Sequence, residues 1–294
     1  MITRMFALAF ILLLPWVVRS QGVNASAVDQ ALGRSGQKTG EVYKVGFPRT
    51  DLHVSVNGLV VKPGLALGSW AAFTGTDANA MVMGDLVLLE GELNPVMDKL
   101  LASGFEITAV HNHLIHETPH VLYMHYMGHG PAAQLATSLK AALGASKTPL
   151  EKPSPVTEEP APPAWVTTVQ ESVGRTGSFK GGVLSYGVAR AQEITLATEK
   201  DPLKVSPAAG VAEAINFQGA DSGQVVTTGD FVLTAAEVNP VLSELRSHNI
   251  TVTALHSHML TEQPRLFFMH FWAVGDPQSV GSGIKAALSR ISVK

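Results

Sequence analysis

The 294-residue chain holds 46% hydrophobic and 15% charged residues, carries a formal charge of −3 and contains no cysteine. The missing thiols exclude a disulfide framework, a thiol nucleophile and thiolate metal ligands, and the lack of a basic block removes the electrostatic footprint expected of a nucleic-acid binder. A chain of this length and apolarity has enough material for two hydrophobic cores.

At the start, Arg4 precedes an apolar run from Met5 to Val18 that exits on Val18-Arg19-Ser20. A charged start, a short hydrophobic stretch and a small-residue exit predict a secretory signal peptide over residues 1–20. The run is shorter than the roughly 20 residues that span a bilayer, so the expectation is a cleaved leader, a periplasmic or secreted protein, and no membrane span in the mature form.

From there the chain states one pattern twice. Val28-Asp29-Gln30-Ala31-Leu32-Gly33-Arg34 matches Val169-Gln170-Glu171-Ser172-Val173-Gly174-Arg175. Gly84-Asp85-Leu86-Val87-Leu88 matches Gly229-Asp230-Phe231-Val232-Leu233, and Asn94-Pro95-Val96 matches Asn239-Pro240-Val241. The stretches 49–73 and 190–217 align poorly. A first repeat unit over 22–145 and a second over 166–294 are thus predicted, joined by a segment at 146–165 in which six prolines interrupt polar residues. Within each unit the pattern predicts a short N-terminal helix, several strands, a helix, a hairpin and a final helix. Asn94 and Asn239, each directly before proline, predict N-caps for helices near 95–103 and 240–247, and Asp276-Pro277 predicts the same device for the last helix. The fold class expected is α+β, a tandem duplication of an antiparallel-sheet unit with flanking helices, giving two pseudo-equivalent domains.

The repeated hairpin carries the chemistry. His111, His113 and His125 of the first copy match His256, His258 and His270 of the second. Strict strand alternation over 105–113 places Phe105, Ile107, Ala109, His111 and His113 on one face, and an even hairpin register brings His125 to the same side. Imidazoles on a core-facing stripe lose water and need partners for their ring nitrogens. Three of them from neighbouring strands suit a transition metal, namely zinc, copper, iron or nickel, with loop residues Glu117 and Glu262 as candidate catalytic bases or fourth ligands. Two other readings stand beside this one: a metal-free binding module for a small-molecule or cell-envelope ligand between the repeats, and a structural polar network of histidines. The first copy alone adds His116, His120 and His129, which predicts the richer metal site there, whereas Arg265 in the second copy would suit an anion. His111-x-His113-x3-Glu117 is similar to the first cupin motif, but the glycine expected six residues later is missing, and no second such motif follows.

Taken together, Gly84-Asp85-Leu86-Val87-Leu88, Glu92-Leu93-Asn94-Pro95-Val96, Thr108-Ala109-Val110-His111-Asn112-His113, Glu117-Thr118-Pro119 and Leu122-Tyr123-Met124-His125 resemble the LppY/LpqO family of exported bacterial proteins. That resemblance implies export and supplies no biochemical activity. The lipoproteins that give the family its name are anchored through a cysteine that this chain lacks, which implies a free periplasmic or secreted form.

Overall fold

In a computed structural model, residues 22–151, 161–197, 202–221 and 223–294 are described; the leader expected over 1–20 lies outside them. The first unit runs α1 (Ala25–Leu32), β1 (Gln37–Thr39), β2 (Val42–Pro48), β3 (Ser55–Val56), β4 (Leu59–Val60), α2 (Pro63–Ala66), β5 (Gly68–Gly75), β6 (Ala80–Leu89), α3 (Glu90–Ala102), β7 (Glu106–His111), β8 (Glu117–Thr118), β9 (Val121–Gly130) and α4 (Ala132–Leu143). The second repeats it with α5 (Ala164–Val173), β10 (Ser178–Lys180), β11 (Val183–Ala189), β12 (Ile194–Leu196), β13 (Leu203–Val205), a 3₁₀ turn (Pro207–Ala209), β14 (Ala212–Gly219), β15 (Val225–Thr234), α6 (Ala235–Ser247), β16 (Thr251–His256), β17 (Glu262–Gln263), β18 (Leu266–Gly275) and α7 (Pro277–Leu288). The duplicated α+β architecture is therefore as the sequence predicts.

Each unit forms a six-stranded antiparallel sheet, ordered β1-β2-β5-β6-β9-β7 and β10-β11-β14-β15-β18-β16. Its own helices cover one face: Val28, Leu32, Val96, Leu100, Leu135 and Leu139 pack on Phe47, Phe73 and Met124 in the first unit, and Val169, Val241, Leu245 and Ile284 pack on Phe217, Phe231 and Phe271 in the second. The other face of each sheet is buried against the neighbouring unit. Met81, Met83 and Met127 share one core with Ile194, Leu196, Val205 and Phe268, while Val54, Val56, Leu65 and Tyr123 share another with Val183, Val226 and Trp272. The insertions between β2 and β5, and between β11 and β14, supply these contacts. The stretches that align worst in sequence are thus the ones adapted to the opposite unit.

Two helix starts differ from expectation. Helices α3 and α6 begin at Glu90 and Ala235, and Pro95 and Pro240 lie inside them. Asn94 and Asn239 are therefore not N-caps. The start is set instead by a glutamate at the third helical position: Glu92 accepts from the Leu89 N–H at 2.9 Å and Glu237 from the Thr234 N–H at 2.7 Å. Proline, so early in the helix, removes only one hydrogen bond near the end. Asp276 does cap α7, accepting from the Ser279 N–H at 2.9 Å. The Pro-rich segment is partly tied down, since Arg34 donates to the carbonyls of Pro149 and Glu151 at 3.1 and 2.9 Å, and α5 opens at Ala164 within the stretch predicted as linker. No helix among the described residues is long and apolar enough to cross a membrane.

Candidate metal centre

Strand β7 does not alternate over its whole length. Its register on β9 runs from Ile107 opposite Tyr126 to Ala109 opposite His125, leaving Thr108 as a bulge. The same bulge falls at Thr253, between Val252 opposite Phe271 and Ala254 opposite His270. An extra residue reverses the facing of everything beyond it. Phe105 and Ile107 consequently pack towards their own helices, and Ala109 and His111 turn with His125 and Tyr123 towards the other unit. The expected single stripe over 105–113 is thus split in two, and the split is what delivers the histidines to the interface.

The bulge residues also join the units. Thr108 Oγ1 donates to the His258 carbonyl at 2.6 Å, and Thr253 Oγ1 donates to the His113 carbonyl at 2.7 Å. This reciprocal pair sets the two hairpins against each other about a pseudo-two-fold axis, and the six imidazoles meet there in one cluster. His111 and His256 stack with ring centres 3.6 Å apart, His113 and His270 lie 3.7 Å apart, and so do His125 and His258. Nε2 of His111 and Nε2 of His113 are 3.0 Å apart, close to the separation of about 3.0–3.4 Å that two nitrogens adopt when bonded at 2.0–2.1 Å to one ion.

The outer ring nitrogens are fixed by main-chain carbonyls. Nδ1 of His125 donates to Gly84 at 3.1 Å, that of His270 to Gly229 at 2.7 Å, that of His258 to Gly210 at 3.2 Å and that of His256 to Ser257 at 3.1 Å. Such bonds fix the tautomer and leave the Nε2 lone pair directed inward. Nε2 of His125, His256, His258 and His270 is buried without a hydrogen-bond partner, as is Nδ1 of His111. Gly84 and Gly229 earn their place in the repeated Gly-Asp pair because a Cβ there would come within 2.2 Å of the Trp70 carbonyl or 2.0 Å of the Ala214 carbonyl.

Each of those glycines is followed by a carboxylate turned to the cluster. Asp85 and Asp230 are buried, and one oxygen of each has no hydrogen-bond partner. Asp85 Oδ2 lies 3.4 Å from His113 Nε2, and Asp230 Oδ2 lies 3.0 Å from His258 Nε2. Three overlapping groups within reach of an ion result: Asp230 with His256, His258 and His270; His111 and His125 with His256; and His111 and His113 with His270. Every one of the three contains a histidine of the second copy, and two mix the copies.

Burial sets the protonation states. It holds all six imidazoles below their ordinary value, and at His270, where Asp230 pulls the other way, the value is about 3. Burial pushes Asp85 up to about 8, with repulsion from Asp230 adding to it and Lys44 opposing it. Neutral imidazoles with free lone pairs are metal-binding forms that need shed no proton. A cavity of about 290 Å³ opens beside the cluster, lined by Asp85, Asp230, His113, His125, His258, His270, Lys44 and Trp70, with mostly apolar residues around them. A substrate or water would reach an ion from that side, past Asp85 and Asp230.

The remaining sequence candidates lie elsewhere. Glu117 and Glu262 are buried but belong to none of the ligand groups and do not line the cavity. Glu117 pairs with His120 Nδ1 at 2.6 Å and accepts from the Val121 N–H; Glu262 pairs with Arg265 at 3.2 Å and accepts from the Leu266 N–H. Both tie down the hairpin loop, and Arg265 is committed to that loop. His116, His120 and His129 are exposed and outside the cluster, so the histidine surplus of the first copy does not enrich it. Sequence reasoning did not assign Asp230, Lys44 or Trp70; the repeated Gly-Asp pair was the available signal for Asp230.

Residues 26–145 and 167–290 each match a family described as Domain of Unknown Function (DUF1259). No curated protein matches the chain. Among solved structures, a trimeric bacterial microcompartment shell protein, PduB, is matched at 12% identity over 87% of this chain and 89% of that one, with a TM-score of 0.20.

Proposed function

The chain belongs to the Domain of Unknown Function (DUF1259) family, and we propose that it binds a transition metal at a single centre built jointly by its two repeats. The observation that carries this reading is the set of inward-facing, buried ring nitrogens with no hydrogen-bond partner. Each such group left unsatisfied costs about 1–3 kcal/mol, and a purely structural network would have paired them. An ion in any one of the three ligand groups would take up more than one of them. With nitrogen and oxygen donors and no sulfur ligand in any group, the donor chemistry favours zinc, copper(II), nickel or iron.

Metal analysis of protein purified without a His-tag, followed by thermal unfolding with each ion added, tests the reading. A ligand that binds only the folded state at a hundred times its Kd adds about 2.7 kcal/mol, so a clear rise in Tm is expected with at least one of the four ions. No bound metal together with an unchanged Tm would end it. The alternative of a metal-free binding module draws on the cavity beside the cluster. Export is carried forward as part of the proposal on the strength of the Met5–Val18 run and the resemblance to the LppY/LpqO family; mass spectrometry of the mature N-terminus in a cell fractionation tests it.

A further inference from the structure

The cavity beside the centre is symmetric in its carboxylates and histidines, and asymmetric at Lys44 and Trp70. On the first-unit side stand Lys44 and Trp70, with the Lys44 ammonium 4.0 Å from the centre of the indole ring. The matching places in the second unit, taken from the equivalent strands β11 and β14, are Ser185 and Ala214. Lys44 is half-buried, its ammonium stands over the indole face, and Asp85 attracts it from beyond salt-bridge distance. A lysine that gives up water without gaining a carboxylate partner within salt-bridge distance is held for something that enters the cavity. Trp70 is itself closely seated, since a Cβ at Gly210 would come within 2.6 Å of its ring.

Charge decides what that visitor is. Lys44 is the one cationic side chain among the lining residues, and Asp85 and Asp230 face the same space. A divalent ion among neutral imidazoles would add two positive charges to that of Lys44 and leave the chamber net positive, which draws an anion. Most of the remaining wall is apolar, with Pro48, Leu65 and Ala214 lining the same space as the indole and Asn216 and Thr228 as polar exceptions.

We propose that this chamber seats a small organic carboxylate, with its charged end between Lys44 and the metal centre and its apolar body along Trp70. The inference rests on the metal reading above. At about 20–30 Å³ per heavy atom, a 290 Å³ cavity limits the ligand to about ten to fifteen heavy atoms, the size of a simple aromatic or branched-chain acid.

Isothermal titration of the full chain with zinc, and of the zinc-loaded protein with benzoate, acetate and benzyl alcohol, tests it. Lys44→Met is expected to take up zinc as the wild type does and to weaken benzoate at least tenfold, with benzyl alcohol unchanged. Trp70→Ala is expected to weaken benzoate several-fold more than acetate, a difference that a folding defect would not produce. Zinc uptake with no benzoate binding, or with benzoate binding indifferent to Lys44→Met, overturns the seat and leaves the metal centre standing. No zinc uptake by the wild type removes the centre and the seat together.

Discussion

Glu117 and Glu262 lie close to the histidines in sequence and apart from them in role. Each accepts a backbone N–H four residues ahead and pairs with a loop side chain, so Glu117→Gln and Glu262→Gln should each cost about 1–2 kcal/mol of stability while leaving metal uptake intact. Loss of uptake with unchanged unfolding would return these residues to the centre. Nothing in the spacing could separate a loop clamp from a ligand, because both place a carboxylate just after His-x-His. The buried arginines were equally hidden. Arg49 and Arg190 each donate to a main-chain carbonyl, Val87 or Val232, and pair at 2.8 Å with the helix-starting Glu92 or Glu237, yet both stand in stretches where the copies barely align. Burial pushes the two glutamates up, but hydrogen bonds from the arginines and from backbone N–H groups outweigh it, leaving both below the ordinary value of 4.5. Since the folded value is the depressed one, the stability they add is complete above about pH 4.5 and is lost as pH falls through the folded value. Acid unfolding followed by circular dichroism should show Glu92→Gln to be less stable at neutral pH and flatter in its response below pH 4.5; parallel curves would contradict this.

At the scale of elements, the duplication, the hairpin and the closing helices were legible because the repeat aligns His111, His113 and His125 with their counterparts. What hydrophobic pattern alone could not show was the bulge. Phe105, Ile107, Ala109, His111 and His113 read as one alternating stripe, and only the pairing of β7 on β9 shows that Thr108 interrupts it. That the same residue type stands at the bulge in both copies, Thr108 and Thr253, is explained by the bonds their hydroxyls make across the interface. Deleting Val110, one residue beyond the bulge and opposite Met124, would bring His111 into that place and turn His111 and His113 to the helix-covered face. Metal uptake should fall to background, with ions measured by atomic spectrometry on folded protein, whereas Thr108→Ser should retain it. Uptake unaffected by the deletion would mean that the facing of β7 beyond the bulge does not aim the ligands.

At the scale of the whole molecule, the two repeats are halves of one interior. Among the described residues, two hydrophobic cores mix residues of both units, and burial of a large apolar side chain is worth about 1.5–3 kcal/mol. Segments 22–151 and 161–294 made separately should therefore aggregate or unfold without cooperativity, and co-expression should restore a soluble pair. Cooperative unfolding of either segment alone would contradict the shared interior. The same geometry makes the cluster a joint possession: ligand groups draw on His111 of one unit and His256 or His270 of the other. The most direct measurement is anomalous diffraction from crystals of the full chain grown with zinc. The account predicts anomalous density at the interface, bound by Nε2 atoms of histidines from both repeats; an ion held by one repeat alone, or density only at exposed histidines such as His116 and His129, would contradict it.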